Sequence, residues 1–118
     1  DTFMARYESM GYHRVTADVI EVNDKLTEPT IFVGRVVKIK RGSDRGIGIL
    51  CLSAEIDGKV VGNVHFTGLD LTVNPDAELM EDLDVKALTV NAYGVINGKI
   101  TGIYQTLNKK PPELPEAE

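Results

Sequence analysis

Few residues in this chain have side chains suited to bond-making chemistry. There are two histidines, His13 and His65, one cysteine, Cys51, and a crowd of carboxylates at Glu81, Asp82 and Asp84. A catalytic or structural zinc needs three or four donors at set spacings, so a three-histidine centre is excluded within one chain. A nucleophilic cysteine needs a base partner. None is identifiable for Cys51, which alternates with Leu50 and Leu52 as a packing residue does. His65 reads as a solvated outer-face residue. Carboxylates on neighbouring positions make a solvated acidic face rather than a separated acid and base. The segment Gly42-Ser43-Asp44-Arg45-Gly46 lacks the Gly-Lys-Ser/Thr ending that cradles and charges a phosphate. The expectation is a protein that is not an enzyme and uses no cofactor or metal.

Binding chemistry is only slightly richer. Lys38, Lys40, Arg41 and Arg45 surround the loop Gly42-Ser43-Asp44; they suit anionic lipid or an acidic partner, but Asp44 interrupts the run and a solvated loop is the expectation. The formal net charge of −5 gives no reason to expect nucleic acid, which favours a basic face. Apolar content of 42% with 26% charged residues is that of one ordinary globular domain at this length. One cysteine excludes an intramolecular disulfide and suits a reducing compartment. No run approaches the ~20 apolar residues of a membrane span. No secretory signal is visible, and Asp1 leaves a processed or trimmed start open.

The elements that must position these residues are organised around a phrase that occurs twice. Ile56-Asp57-Gly58-Lys59-Val60, followed by Val61-Gly62, returns as Ile96-Asn97-Gly98-Lys99-Ile100, followed by Thr101-Gly102. With Phe32, Ile56, Leu79 and Ile96 as anchors, the steps are two long and one short, an irregular stack of coils. The short step also separates Leu71-Thr72-Val73-Asn74 from its return as Leu88-Thr89-Val90-Asn91. Asp-Gly and Asn-Gly between apolar runs also fit two-residue hairpins. A hairpin at Asp57-Gly58 would pair Ile56 with Lys59 on one face. A chain that continues without reversal puts Ile56, Gly58, Val60, Gly62 and Val64 on one face and Asp57, Lys59, Val61, Asn63 and His65 on the other. Glycine on the inner face suits a corner where backbone crowds a narrow core. Both arrangements stay open, with the coil preferred.

Along the chain, residues 1–14 read as a terminal arm carrying Phe3, Met4, Tyr7, Met10 and Tyr12, a docking or interfacial segment without a clean period. Residues 15–107 read as a single β domain, rich in β-branched runs. Residues 75–84 are ambiguous: Asn74 could cap a helix with Pro75 in its first position and Leu79, Met80 and Leu83 on one stripe. Residues 108–118, with prolines, lysines and glutamates, read as a flexible tail. The fold class expected is all-β, a small parallel β-helix, with a compact β-barrel or sandwich carrying one short helix near 75–84 as the alternative.

Asp57-Gly58-Lys59-Val60-Val61-Gly62-Asn63-Val64, the Leu-Thr-Val-Asn phrases with Pro75-Asp76-Ala77, and Asn97-Gly98-Lys99-Ile100-Thr101-Gly102 resemble the bactofilins over residues 47–107. The resemblance implies a right-handed β-helix and a cytoplasmic cytoskeletal scaffold. Such a scaffold would polymerise with itself end to end without nucleotide. It would lie at the inner face of a membrane, or against other scaffolded proteins, through its N-terminal arm (Phe3, Met4, Tyr7, Met10). The ends of a β-helix expose unpaired backbone and an apolar cross-section, and the last strand places Ile103, Tyr104 and Leu107 at such an end as the expected self-assembly interface. Two other classes remain at this level: a β-barrel binding module, and a structural subunit of a larger hetero-complex.

Overall fold

The computed structural model describes residues 2–109, with side chains from residue 5 onward. The chain is a small right-handed parallel β-helix of about six turns. After helix α1 (Thr2–Ser9), the first turn carries β1 (His13–Thr16) and β2 (Val19–Val22). The second carries β3 (Thr30–Val33), β4 (Val36–Ile39) and β5 (Gly42–Ser43), and the third β6 (Ile47–Leu50), β7 (Ser53–Ile56) and β8 (Lys59–Val60). The fourth carries β9 (Val64–Thr67), β10 (Asp70–Val73) and β11 (Glu78–Leu79). Then come β12 (Leu83–Ala92) and β13 (Val95–Ile96), and finally β14 (Ile100–Lys109). β1, β3, β6, β9 and the first halves of β12 and β14 make one wall. β2, β4, β7, β10 and the second halves of β12 and β14 make another. β5, β8, β11 and β13 make the third. Every ladder is parallel.

The register is more regular than the spacing of the phrases suggests. In the first wall His13, Thr30, Ile47, Val64, Leu83 and Ile100 stack. Each step is seventeen positions except the one from Val64 to Leu83, which is two longer. Of the expected anchors Phe32, Ile56, Leu79 and Ile96, only Leu79 and Ile96 share a stack; the two longer steps, from Phe32 to Ile56 and from Ile56 to Leu79, join different walls. The two extra residues of the longer turn lie in the corner Asn74-Pro75-Asp76-Ala77. Here the Ala77 amide donates to the Asn74 carbonyl at 2.9 Å and proline, with no N–H, leaves no donor stranded. The helix considered for residues 75–84 does not form. β11 and the start of β12 occupy that stretch, Leu79 and Leu83 are fully buried, and the bend between them turns Glu81 to solvent.

The hairpins are likewise excluded. β7 and β8 flank Asp57-Gly58 but lie in different walls and pair with other turns. Gly58 takes a positive φ of 78° at this corner, and a Cβ there would press on the backbone of Arg41 and Gly42. Ile56, Val60 and Val64 are fully buried while Lys59 is exposed, as the continuing alternation requires. Ile96 and Ile100 follow the same inner phase but are only half-buried, because among the described residues no further turn stacks on the last one. Inner columns such as Ile20, Val37, Ala54, Leu71, Val90 and Leu107 run the length of the core. The two buried polar side chains among the described residues are bonded: the Thr30 hydroxyl donates to the Glu28 carbonyl at 2.8 Å and Ser43 accepts from the Arg45 amide at 3.1 Å.

The β domain is slightly longer than residues 15–107. β1 begins at His13, and Asn108 and Lys109 complete β14, with the Asn108 amide donating to Asn91 Oδ1 at 2.8 Å. The rest of the expected tail lies outside the described residues.

Candidate functional site

The outer walls neutralise part of their own charge. Lys38 and Lys40, half of the basic cluster, pair with Glu55 at 3.8 Å and Glu21 at 3.4 Å, and Asp44 pairs with Lys25 at 2.8 Å. Asn74 Nδ2 donates to Glu55 and Asp57, and Asn91 Nδ2 to Asp70 and Thr72, so the amide on one turn reaches polar groups of the turn before it. These pairs are exposed and each contributes little to stability.

The N-terminal segment is a helix laid along the outer face of the first wall. Tyr7 is 3% exposed, its ring edge-on to Tyr12 at 5.0 Å and tilted against His65 at 5.4 Å, and it is clustered with the fully buried Ile31. Burial pushes the Tyr7 phenol up to about 12. Tyr7 therefore fastens the arm to the domain and does not project from it, contrary to its expected part in an anchoring surface. The reason is Ile31, an apolar residue in outer phase that needs cover. Met10 is 61% exposed, and the side chains of Phe3 and Met4 lie outside the described residues. No helix of the described residues is long and apolar enough to cross a membrane.

Beside α1 lies an open groove of about 500 Å³ lined by Arg6, Tyr7, His65, Asp84, Lys86 and Ile103, among others. His65 Nδ1 is 3.4 Å from Asp84 Oδ2 on the floor of this groove. Cys51 is not in this groove. It is 6% exposed in the core, and burial pushes its thiol up to about 11, the opposite of what a nucleophile requires. Leu50 and Leu52, on either side, face outward. Reaction of Cys51 with a thiol reagent at pH 8 is expected to be about 100-fold slower than that of a free cysteine, since each unit of pKa removes tenfold of the thiolate. Comparable rates in the folded and urea-unfolded protein would show that the thiol is not sequestered.

The ends of the coil are the remaining candidate. At the C-terminal end an apolar groove of about 410 Å³ is lined by Ala92, Gly94, Ile96, Ile100, Leu107 and Lys109. Leu107 stacks on Val90 and is half-buried, its outer side facing the groove. Tyr104 stacks on Ala87 and packs against the core from the corner. Ile103 stacks on Lys86 in outer phase, is 68% exposed, and belongs to the side groove rather than the end. Thus the three residues expected together at one surface divide between two. Ile96 and Ile100 complete the end, and a strict register would have singled them out as the last members of their columns. At the N-terminal end a second groove, about 530 Å³, is lined by the partly buried Val15, Val22 and Leu26 together with Glu21, Asp24 and Lys25, over the buried Ile20 and Phe32. Lys109 stacks on Ala92 in inner phase, a charge at the rim of an otherwise apolar end. Comparison with protein-family models, with curated proteins and with solved structures finds no match to this chain.

Proposed function

We propose that this chain is a non-enzymatic cytoskeletal scaffold, like the bactofilins it resembles in sequence, whose copies stack end to end into filaments without nucleotide. The observation that carries this reading is the C-terminal end. Among the described residues β14 pairs only with β12, so a ten-residue strand offers a full edge of backbone donors and acceptors beside the apolar floor of Ile96, Ile100 and Leu107. The opposite end presents β1 and β2 as edges over Val15, Ile20 and Val22. Both ends leave parallel strand edges without a neighbour among the described residues, and pairing of such edges needs no phosphate chemistry. The same resemblance suggests a filament in the cytoplasm at the inner face of a membrane, with the N-terminal arm, of which Met10 is 61% exposed, as the membrane contact.

The test is electron microscopy and sedimentation of the purified full chain in chelator, with no nucleotide. Filaments are expected, unchanged by added ATP or GTP. A monodisperse monomer at every accessible concentration would remove the homopolymer and favour a subunit of a larger hetero-complex. Assembly that requires nucleotide hydrolysis would also overturn the reading.

A further inference from the structure

The last turn of the coil is incomplete on one wall. β14 adds to the first and second walls, but among the described residues the third wall ends one turn lower, at β13. In the second, third and fifth turns the third-wall strand begins three residues after the last second-wall position: Gly42 after Ile39, Lys59 after Ile56, Val95 after Ala92. Lys109 stacks on Ala92, so by the same count Pro112 falls where a further third-wall strand would begin. Glu113 then falls on the inner column of Ser43, Val60, Leu79 and Ile96. At the corner below, the Gly94 and Val95 amides donate to the Val73 and Ala77 carbonyls at 3.1 and 3.0 Å. Pro111 and Pro112, at the matching positions, have no N–H to give, and Glu113 would carry a charge into the core. These residues are unsuited to a further strand, and Ile96 is left on the floor of the apolar terminal groove.

We propose that residues 110–118 fold back across this groove with Leu114 seated against Ile96, Ile100 and Leu107, so that the chain caps its own C-terminal end and holds back assembly; the effect on assembly rests on the end-to-end reading. The occupant follows from where the chain leaves the described fold. Lys109 itself lines the groove, so the residues after it start at the rim. The fifth turn covers the path from Ala92 to Ile96 in four residues, and Leu114 lies five beyond Lys109, the residue stacked on Ala92. The groove at the other end is five strand spacings away, about 24 Å, beyond the ~17 Å that five extended residues span. Leu114 is the one leucine, isoleucine, valine or aromatic residue among the nine, and the groove is lined by side chains of the same kind. Lys109 sets a cation at the rim, and Glu113 and Glu116 on either side of Leu114 bring the opposite charge. Pro111, Pro112 and Pro115 restrict the chain around the leucine, which reduces the entropy lost on docking. A contact this small opens and closes, and capping lowers the fraction of copies ready to stack.

The experiment uses the full chain and has two readouts. The first is the rate of disulfide formation in Asn97→Cys/Pro115→Cys, measured in dilute protein where nothing sediments. Asn97 is the exposed neighbour of Ile96, and Cys51 is buried and leaves the new pair to react. The same pair with Leu114→Asp added is expected to close roughly tenfold more slowly, because the seated leucine no longer raises the local concentration of the two thiols. Equal rates with and without the leucine, or disulfides formed mainly between copies, would overturn the cap. The second readout is sedimentation of the wild type against Leu114→Asp alone. Removing the cap is expected to lower the protein concentration needed for filaments by roughly three- to tenfold, the inverse of the uncapped fraction. An unchanged or higher concentration would overturn the restraint on assembly. Filaments from neither chain would overturn the end-to-end reading and that restraint with it, while the disulfide rates still decide whether the cap forms.

Discussion

Replacing Val60 with aspartate is expected to abolish the folded state at 25 °C, while Lys59→Asp, one residue earlier, shifts the thermal midpoint by only a few degrees. Val60 is fully buried between Ser43 and Leu79 in the third wall, with Ile96 beyond. An aspartate there loses the valine's burial, worth about 1.5–3 kcal/mol. It also adds an unpaired buried carboxylate costing several kcal/mol more, whether it stays charged or takes up a proton. Together these approach the whole stability of a domain, ~5–15 kcal/mol. Lys59 is exposed and makes no ion pair among the described residues, so its replacement meets only solvent. Circular dichroism melts of the two variants read the difference. Equal losses at positions 59 and 60 would contradict the inner and outer alternation through the Gly58 corner.

Leu107→Arg is expected to eliminate filaments while leaving the β-type circular dichroism spectrum and a cooperative melt in place. In a free subunit the side chain lines the rim of the terminal groove, where a long cation reaches water. Once a second copy covers that groove, the same guanidinium is buried without a partner. A cost of about 3–5 kcal/mol per contact lowers the association constant by two to three orders of magnitude or more. Ile103→Arg, on the outer wall, is the contrasting variant and is expected to leave filament length unchanged. Sedimentation at matched concentrations reads both. Filaments unaffected by Leu107→Arg would place the contact elsewhere than the C-terminal end.

The alternation of Ile56, Val60 and Val64 was readable from the sequence because period-two phasing survives a corner when a glycine takes the strained position. The register was not. The two-residue insertion at Asn74–Ala77 shifts the columns. By sequence alone Leu71-Thr72-Val73-Asn74 aligns with Leu88-Thr89-Val90-Asn91, Leu71 on Leu88, while the ladder pairs Leu71 with Val90. Leu88 therefore leaves the core and is exposed. The Ile56 and Ile96 phrases look equivalent but serve different corners: Ile56 stacks on Ile39 and Val73, Ile96 on Leu79. Tyr7 eluded sequence reasoning for a related reason. Its seat is Ile31 beside Gly48, which leaves the space a side chain would fill, and that pairing of outer-face residues shows only once the regular step between turns is known.

The constancy of that step gives the molecule a unit of length. Each turn touches mainly the turns before and after it, and the unit is indifferent to where along the axis it sits. Loss or duplication of one whole turn would change the subunit by a single strand spacing, about 4.8 Å. Both ends and all three walls would keep their form. A change of any other size would misalign three walls at once unless it fell in a corner, where Asn74-Pro75-Asp76-Ala77 already absorbs the extra length. Divergence in such a chain is thus channelled: its length changes by whole turns, and its irregularities collect at the corners.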